Sequence, residues 1–480
     1  MRLRTAHFIG IAGAGMSATA KLLQDSGVTV TGSDEQIYPP VSQFLADQGL
    51  AWKTPYAAAN IPEGVDLIVI GKNAKLVPET NPEVAAAMAC GAAIRSFPEV
   101  LADLSRDKET IVVAGAYGKS TTASLLVHCL ECAAARAGDE VDPSFFIGAI
   151  PFTPSTSARF GGGNLFVLEG DEYPSSNTDP RSKFLHYHPK HLLFTPLAHD
   201  HINVFPTPAD YLRPFAELID IAPPDGTVVA CLEGILSKEF VPRIGRPIVT
   251  YGVNAGDFTA ADISWGEKTR FSLVGYGKRL VEVETTQLGE HSVQNIVGVG
   301  AFLLTRALVT PAQLADAIPR FRGIRRRLDR KSDKTSIPIF EGFGSSYEKA
   351  RSAIAAIKRH FPANRLIVVF EPHTFSWRNR NALAWYDSVF EGADRVFIYE
   401  PAAQGAATHA QLAHGEIVQR VARAGFDVAA ISDPKAAQAD FADLLRSDDV
   451  VLMLTSGGLG GLIEQLPRIA EEKFPRPDQR

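Results

Sequence analysis

The stretch Ile111 to Thr122, IVVAGAYGKSTT, constrains this chain more than any other. Ile111, Val112 and Val113 form an apolar β-run that breaks at Gly115 and Gly118. Lys119-Ser120 then open an apolar periodicity through Leu125, Leu126 and Leu130, so a strand, a glycine loop and a helix are predicted. Such a turn aims backbone N–H groups and a positive helix end at one point, which suits a phosphate chain. Lys119 adds a charge and Ser120 offers a hydroxyl to Mg²⁺. The consensus phosphate loop has four residues between its glycines, whereas Gly115 stands only three positions before Gly118, so the loop is a variant. A glycine turn that merely carries Gly-Lys-Ser is the alternative.

At 480 residues the chain is too long for one core and fits about three domains. With 45% hydrophobic and 21% charged residues it has an ordinary globular composition, which excludes disordered and fibrous classes. A net charge of -6 provides no basic footprint for nucleic acid and no polybasic membrane patch. Phosphate binding must therefore be local. No apolar run approaches the ~20 residues of a membrane span, and the N-terminus lacks a signal-peptide core; a cytoplasmic protein is expected. Cys129 and Cys132 form a C-x-x-C in the helix after the loop. With no second ligand pair nearby, they read as packed core residues rather than a zinc or redox site.

Taken in order, His7 to Leu23 reads as a strand, a loop with Gly10, Gly13 and Gly15, and an amphipathic helix containing Ser17. Its G-x-x-G-x-G spacing differs from the dinucleotide fingerprint, which weakens a nicotinamide reading. A strand over Val28 to Gly32 ends at Ser33-Asp34, where an acid can hold a ribose hydroxyl. Asp66 to Gly71 reads as a buried strand and Pro82 to Cys90 as a helix. The first boundary falls in the polar stretch Leu104 to Glu109, dividing 1–105 from 106–328.

In the second section, Leu165 to Asp171 is an apolar strand ending in Glu169, Asp171 and Glu172, and the run His191 to Phe194 leads to His199, Asp200 and His201. Acids at the carboxyl end of such a strand lie where α/β sheets bind ligands and suit Mg²⁺. Alternating stretches between Gly252 and Thr286 suggest edge hairpins; Gly289 to Asn295 opens a long helix. Arg325, Arg326 and Arg327 are either a solvated run or a source of charge for a transferred phosphoryl group.

From 329 to 480, strands are expected at Ile337 to Glu341, Leu366 to Glu371, Arg395 to Tyr399, Phe426 to Ala430 and Val450 to Leu454. SGGLGG, Ser456 to Gly461, is a tight turn or a place for a ligand to approach the backbone. Pro475 to Arg480 reads as a frayed tail.

The segments GSDEQIYPP (Gly32 to Pro40), SARFG (Ser157 to Gly161), EGDEY (Glu169 to Tyr173), RSKFLHY (Arg181 to Tyr187), Asp200-His201 with Phe205, GEH (Gly289 to His291), RRRL (Arg325 to Leu328) and SGGLGG make the whole chain resemble the Mur ligase family. The resemblance implies three α/β domains: a Rossmann-like domain for a UDP substrate, a central phosphate-loop ATPase-like domain and a C-terminal Rossmann-like αβ domain. It implies ATP-dependent amide synthesis in peptidoglycan metabolism, with ATP and Mg²⁺ as cofactors and UDP-N-acetylmuramate and an amine as partners. A monomer or weak homo-oligomer is expected.

By the same likeness Gly13, Gly15, Ser17 and Asp34 hold the UDP part. Gly115, Gly118, Lys119, Ser120 and Thr121 hold the ATP phosphates, and Asn295 approaches the adenine. Ser120, Glu169 and His201 serve the metal, and Arg326 meets the γ-phosphate. The YPP and RSKF segments are similar to the branch that ligates the tripeptide L-alanyl-γ-D-glutamyl-meso-diaminopimelate, the murein peptide ligases. Addition of L-alanine is the alternative, as is a UDP-sugar-binding homologue without ligase activity.

The chain departs from the family pattern in three places besides its loop. Pro196 and Ala198 stand at the Asn and Glu positions of the N-x-E-x-D-H segment, and Ser292 replaces the Asn of H-N-x-x-N. Glu341-Gly342-Phe343-Gly344-Ser345-Ser346-Tyr347 replaces D-D-[YF]-[AG]-H-H-P.

Overall fold

Short apolar runs between glycine turns build three sheets, in agreement with the expected α/β class. The computed structural model describes residues 3–35, 37, 41–137, 142–201, 204–401 and 411–476; the Tyr38 to Pro40 motif lies outside them. The first sheet contains β1 (Thr5–Ile9), β2 (Thr29–Ser33), β3 (Ala51–Lys53), β4 (Leu67–Ile70) and β5 (Ala93–Arg95). It is parallel, in the order β3-β2-β1-β4-β5. Strand order reverses between β1 and β4, so the crevice beyond their carboxyl ends is the place such a sheet offers a ligand.

The second sheet contains β6 (Glu109–Ala114), β7 (Ser144–Phe146), β8 (Ala158–Arg159), β9 (Leu165–Gly170), β10 (His191–Phe194), β11 (Val228–Cys231), β12 (Val249–Tyr251), β13 (Phe258–Ser264), β14 (Thr269–Gly275) and β15 (Lys278–Thr285). Its order is β15-β14-β13-β12-β11-β10-β6-β9-β7-β8. The expected hairpins occupy its edge, where Tyr276 (φ 49°) and Gly277 (φ 75°) turn the chain between β14 and β15. Two positive φ values in a two-residue loop match the twist of a hairpin.

One apolar core joins the first two sheets. Ala18 and Leu22 of the helix Ala14–Asp25 and Leu101 of the helix Phe97–Ser105 pack with Phe146, Ala158, Phe166 and Leu168.

The third sheet contains β16 (Arg327–Arg330), β17 (Ile339–Gly342), β18 (Arg365–Phe370), β19 (Arg395–Tyr399), β20 (Val428–Ile431) and β21 (Asp449–Leu454), in the order β16-β17-β21-β18-β19-β20. The last five are the expected parallel strands. β16 is antiparallel to β17 and was not legible, because an arginine-rich edge strand lacks the apolar alternation that marks a half-buried one. The expected division between 328 and 329 falls inside it. Pro475 bridges Thr335, and the Arg476 N–H donates to Lys334 O at 2.7 Å; the start of the expected tail is therefore held.

The chain divides into two compact units. Met1–Ile263, Arg270–Thr285 and Val293–Ile324 form one; Ser264–Thr269, Thr286–Ser292 and Arg325–Arg480 form the other. Among the described residues no helix is long and apolar enough to cross a membrane.

Candidate active site

The register of the second sheet assembles the site. β6 lies between β9 and β10, with Val113 opposite Glu169 and Ala114 opposite both Gly170 and Phe194. The carboxyl ends of three parallel strands therefore meet where the glycine loop begins. Gly115 (φ 144°) and Gly118 (φ 84°) adopt backbone conformations that side chains avoid. A Cβ on Gly115 would collide with the Thr195 hydroxyl, and one on Gly118 would sit 2.6 Å from Asn295 Oδ1. Asn295 is thus packed on the loop, although it lies far along the chain. The Ala116 N–H donates to Pro196 O at 2.9 Å, tying the loop to the segment after β10.

Lys119 opens the helix Lys119–Ala137 and folds back over the loop. Its ammonium donates to Gly115 O at 2.5 Å and to Glu172 Oε2 at 2.9 Å. The Glu172 side chain is 0% exposed and that of Lys119 only 14%. Burial pulls the Lys119 ammonium down, but Glu172 and then Asp171 outweigh it and hold it above its usual 10.5.

His201 Nε2 lies 3.5 Å from the other Glu172 oxygen. The hydrogen bond to Glu172 raises this imidazole against the opposing effect of burial. Ser182 Oγ donates to the Glu172 carbonyl at 2.6 Å, so Glu172 is held by its backbone as well. The sequence offered Glu172 only as one of three strand-end acids suited to Mg²⁺; its pairing with Lys119 had no local signal.

Ser120 Oγ donates to Glu169 Oε1 at 2.7 Å, and the Gly148 N–H donates to Glu169 Oε2 at 2.6 Å. A hydroxyl and a carboxylate in contact are hard oxygen donors, and Mg²⁺ takes one or two such groups from a protein and the rest from phosphates and water. Ser120 and Glu169 therefore fit the ion. His201 is directed at Glu172, and among the described residues no cluster of three or more His, Cys, Asp or Glu could hold a metal alone. Thr121 follows in the same helix. Cys129 is buried and Cys132 half-buried against His128, as core residues should be.

In the first sheet, Gly13 and Ala14 are exposed at the start of their helix. Gly15 serves packing, since a Cβ there would lie 2.9 Å from the Phe97 ring. Ser17 is buried and its hydroxyl donates to Ala14 O at 3.1 Å. Asp34 accepts from the Ala12 N–H at 2.9 Å and from the Tyr56 hydroxyl at 3.0 Å, bracing the glycine loop from β2. Of the four, only Gly13 is exposed, and Gly15 is half-buried.

Arg326 belongs to the other unit. It adopts φ 64°, its Nε donates to Glu341 Oε1 at 2.8 Å, and its Nη2 donates to Gly457 O at 2.6 Å. Within its unit the Arg326 guanidinium ties β17 to the glycine turn. Within that turn a Cβ on Gly457 would lie 2.6 Å from Glu371 Oε2, and one on Gly460 2.6 Å from the Tyr399 hydroxyl. Close packing thus demands those glycines. Ser346, in the altered motif, caps the helix Tyr347–His360 by accepting from the Lys349 N–H.

Residues 5–109 match the Mur ligase family, catalytic domain, and residues 113–303 match the Mur ligase middle domain. A UDP-N-acetylmuramate–L-alanine ligase from Halorhodospira halophila is 32% identical over 97% of this chain and 93% of its own length. Among solved structures, the UDP-N-acetylmuramate-alanine ligase of Thermotoga maritima shares the fold with a TM-score of 0.76 at 22% identity, covering 97% of this chain and 98% of that one. The UDP-N-acetylmuramate:L-alanyl-gamma-D-glutamyl-meso-diaminopimelate ligase from Neisseria meningitides is 28% identical with a TM-score of 0.60, covering 68% of this chain and 100% of that one. The chain belongs to the Mur ligase family, enzymes that form amide bonds at the expense of ATP.

Proposed function

We propose that this protein joins the carboxylate of UDP-N-acetylmuramate to the amine of L-alanine through an acyl phosphate. The observation that carries this reading is the gathering of Lys119, Ser120, Glu169, Glu172 and His201 at the ends of adjacent parallel strands. The amine follows the name of the H. halophila relative, which aligns over nearly the whole chain.

The chemistry is two displacements. A carboxylate oxygen attacks the γ-phosphorus, and the bond to the bridging oxygen breaks with its electron pair leaving on ADP. The neutral amine nitrogen then attacks the acyl carbon, phosphate leaves with the carbon–oxygen electron pair, and the surplus proton on nitrogen passes to the departing phosphate. Positioning and neutralisation of charge do most of the work in such transfers. Lys119 would hold the β- and γ-phosphates after releasing Glu172, and the loop amides would cradle the rest. Ser120 and Glu169 would hold Mg²⁺, which supplies positive charge between the phosphates. Residues 1–105 would take the UDP part through the backbone at Gly13, and 106–328 the ATP, with Asn295 beside the loop. Residues 329–480 would bring the amine.

A second reading, with the tripeptide as amine, is favoured by Lys183 of the RSKF segment and by the likeness to the N. meningitides enzyme. Purified protein given ATP, Mg²⁺ and UDP-N-acetylmuramate should release phosphate when L-alanine is added. Release with the tripeptide alone would select the second reading. Silence with either amine would leave a UDP-sugar-binding protein.

A further inference from the structure

We infer that Lys72 and Lys183 form the seat for the carboxylate of the acid substrate; this rests on the function proposed above. The two lysines come from separate loops, one after β4 and one after β9, and converge on a single aromatic ring. Lys72 Nζ lies 5.3 Å from the centre of Tyr173 and Lys183 Nζ lies 5.7 Å from it.

Two side-chain hydrogen bonds hold the loops together, from Asn177 Nδ2 to Asn73 O at 2.9 Å and to Leu76 O at 3.1 Å. Lys183 is nearly enclosed; it pairs with Asp171 and lies over Phe97. Lys72 is exposed, and among the described residues no carboxylate stands within ion-pair distance of it. Burial and then the charge of Lys183 pull its ammonium below the usual 10.5. Asp171 pairs with Lys183 and offsets part of that charge, so the exposed Lys72 is the cation best placed to meet an incoming anion, with Lys183 behind it.

The location selects which anion. Tyr173 meets the His201 ring edge-on at 4.7 Å, and His201 faces Glu172, the partner of Lys119. The lysines therefore stand beside the phosphate loop, where the attacking carboxylate has to be. The exposed helix start at Gly13 and Ala14 is the separate place that suits a diphosphate.

Titration calorimetry of the full chain with UDP-N-acetylmuramate and with UDP-N-acetylglucosamine, which lacks the carboxylate, tests this. Lys72→Met should weaken the muramate about tenfold and leave the glucosamine unchanged, while Lys72→Arg keeps both near wild type. Lys183→Met should act in the same direction. Equal weakening of both sugars, or no change in either, overturns the seat alone. Failure of the wild-type protein to bind either sugar overturns the acid substrate itself, and the seat with it.

Discussion

Lys119 Nζ stands 2.9 Å from Glu172 Oε2, and the Glu172 carboxylate is shut off from solvent. The phosphate-loop lysine is thus held by an internal counter-ion in the place a triphosphate would claim. Truncating one member of such a pair leaves an uncompensated buried charge, costing about 3 kcal/mol or more. Lys119→Met should therefore lower the thermal midpoint, and the Lys119→Met/Glu172→Gln double variant should recover most of the loss without restoring turnover. A double variant as unstable as the single one would show that the pair is not what holds this corner.

Ser120→Ala removes the hydroxyl that Glu169 accepts from. A hydrogen bond to a charged group contributes about 1.5–3 kcal/mol. The half-saturating Mg²⁺ concentration for phosphate release should rise about tenfold or more, while the melting point without nucleotide moves little. An unchanged Mg²⁺ dependence would remove Ser120 from the metal site.

His201 is raised chiefly by its hydrogen bond to Glu172, with burial opposing and Asp200 assisting. Its contribution to stability is present in full below its ordinary 6.5 and is lost as pH climbs through the raised folded value. The thermal midpoint should fall over that window in wild type and fall less in His201→Gln. Parallel profiles for the two proteins would contradict the Glu172 contact.

Glu83 is a buried acid in the first sheet. It accepts from Ser33 Oγ at 2.6 Å, from the Ala57 N–H at 2.9 Å and from Asn60 Nδ2 at 2.8 Å, and its carboxylate lies 2.8 Å from His7 Nε2. Burial raises its carboxyl, but His7, then Ser33, Asn60 and Ala57, more than reverse that and leave it below 4.5. Its stabilisation is present above 4.5 and lost as pH falls through the lowered value. Glu83→Ala, which orphans several buried groups, should cost about 3 kcal/mol, read by urea denaturation; a loss under 1 kcal/mol would be too small for so many broken bonds.

Arg326→Met should release the glycine turn from β17. The expected result is faster proteolysis within residues 325–480 and no change in nucleotide-dependent protection of the loop at 115–122. A variant that keeps its protease resistance but loses phosphate release would instead support a role for Arg326 at the phosphate.

The phosphate loop was readable from sequence because its signals are local. A strand, two glycines with positive φ and a helix start are properties of adjacent residues, as are the parallel strands of the third sheet. Asn295 entered the site only through the family likeness and Glu172 only as one of several strand-end acids, while Lys72 carried no signal of its own; the partners of all three depend on which strands lie side by side and in what register. Local signals say less about Gly15, Ser17 and Arg326. Glycine spacing cannot say whether the missing side chain makes room for a phosphate or for Phe97, and an arginine run cannot say that one guanidinium will find Glu341 and Gly457. The sequence by itself determined the class of fold and the phosphate-binding chemistry, because backbone conformation and apolar periodicity are short-range. Only the tertiary structure decided which charges meet, because burial sets the strength of an ion pair, and burial exists only once the sheets have packed.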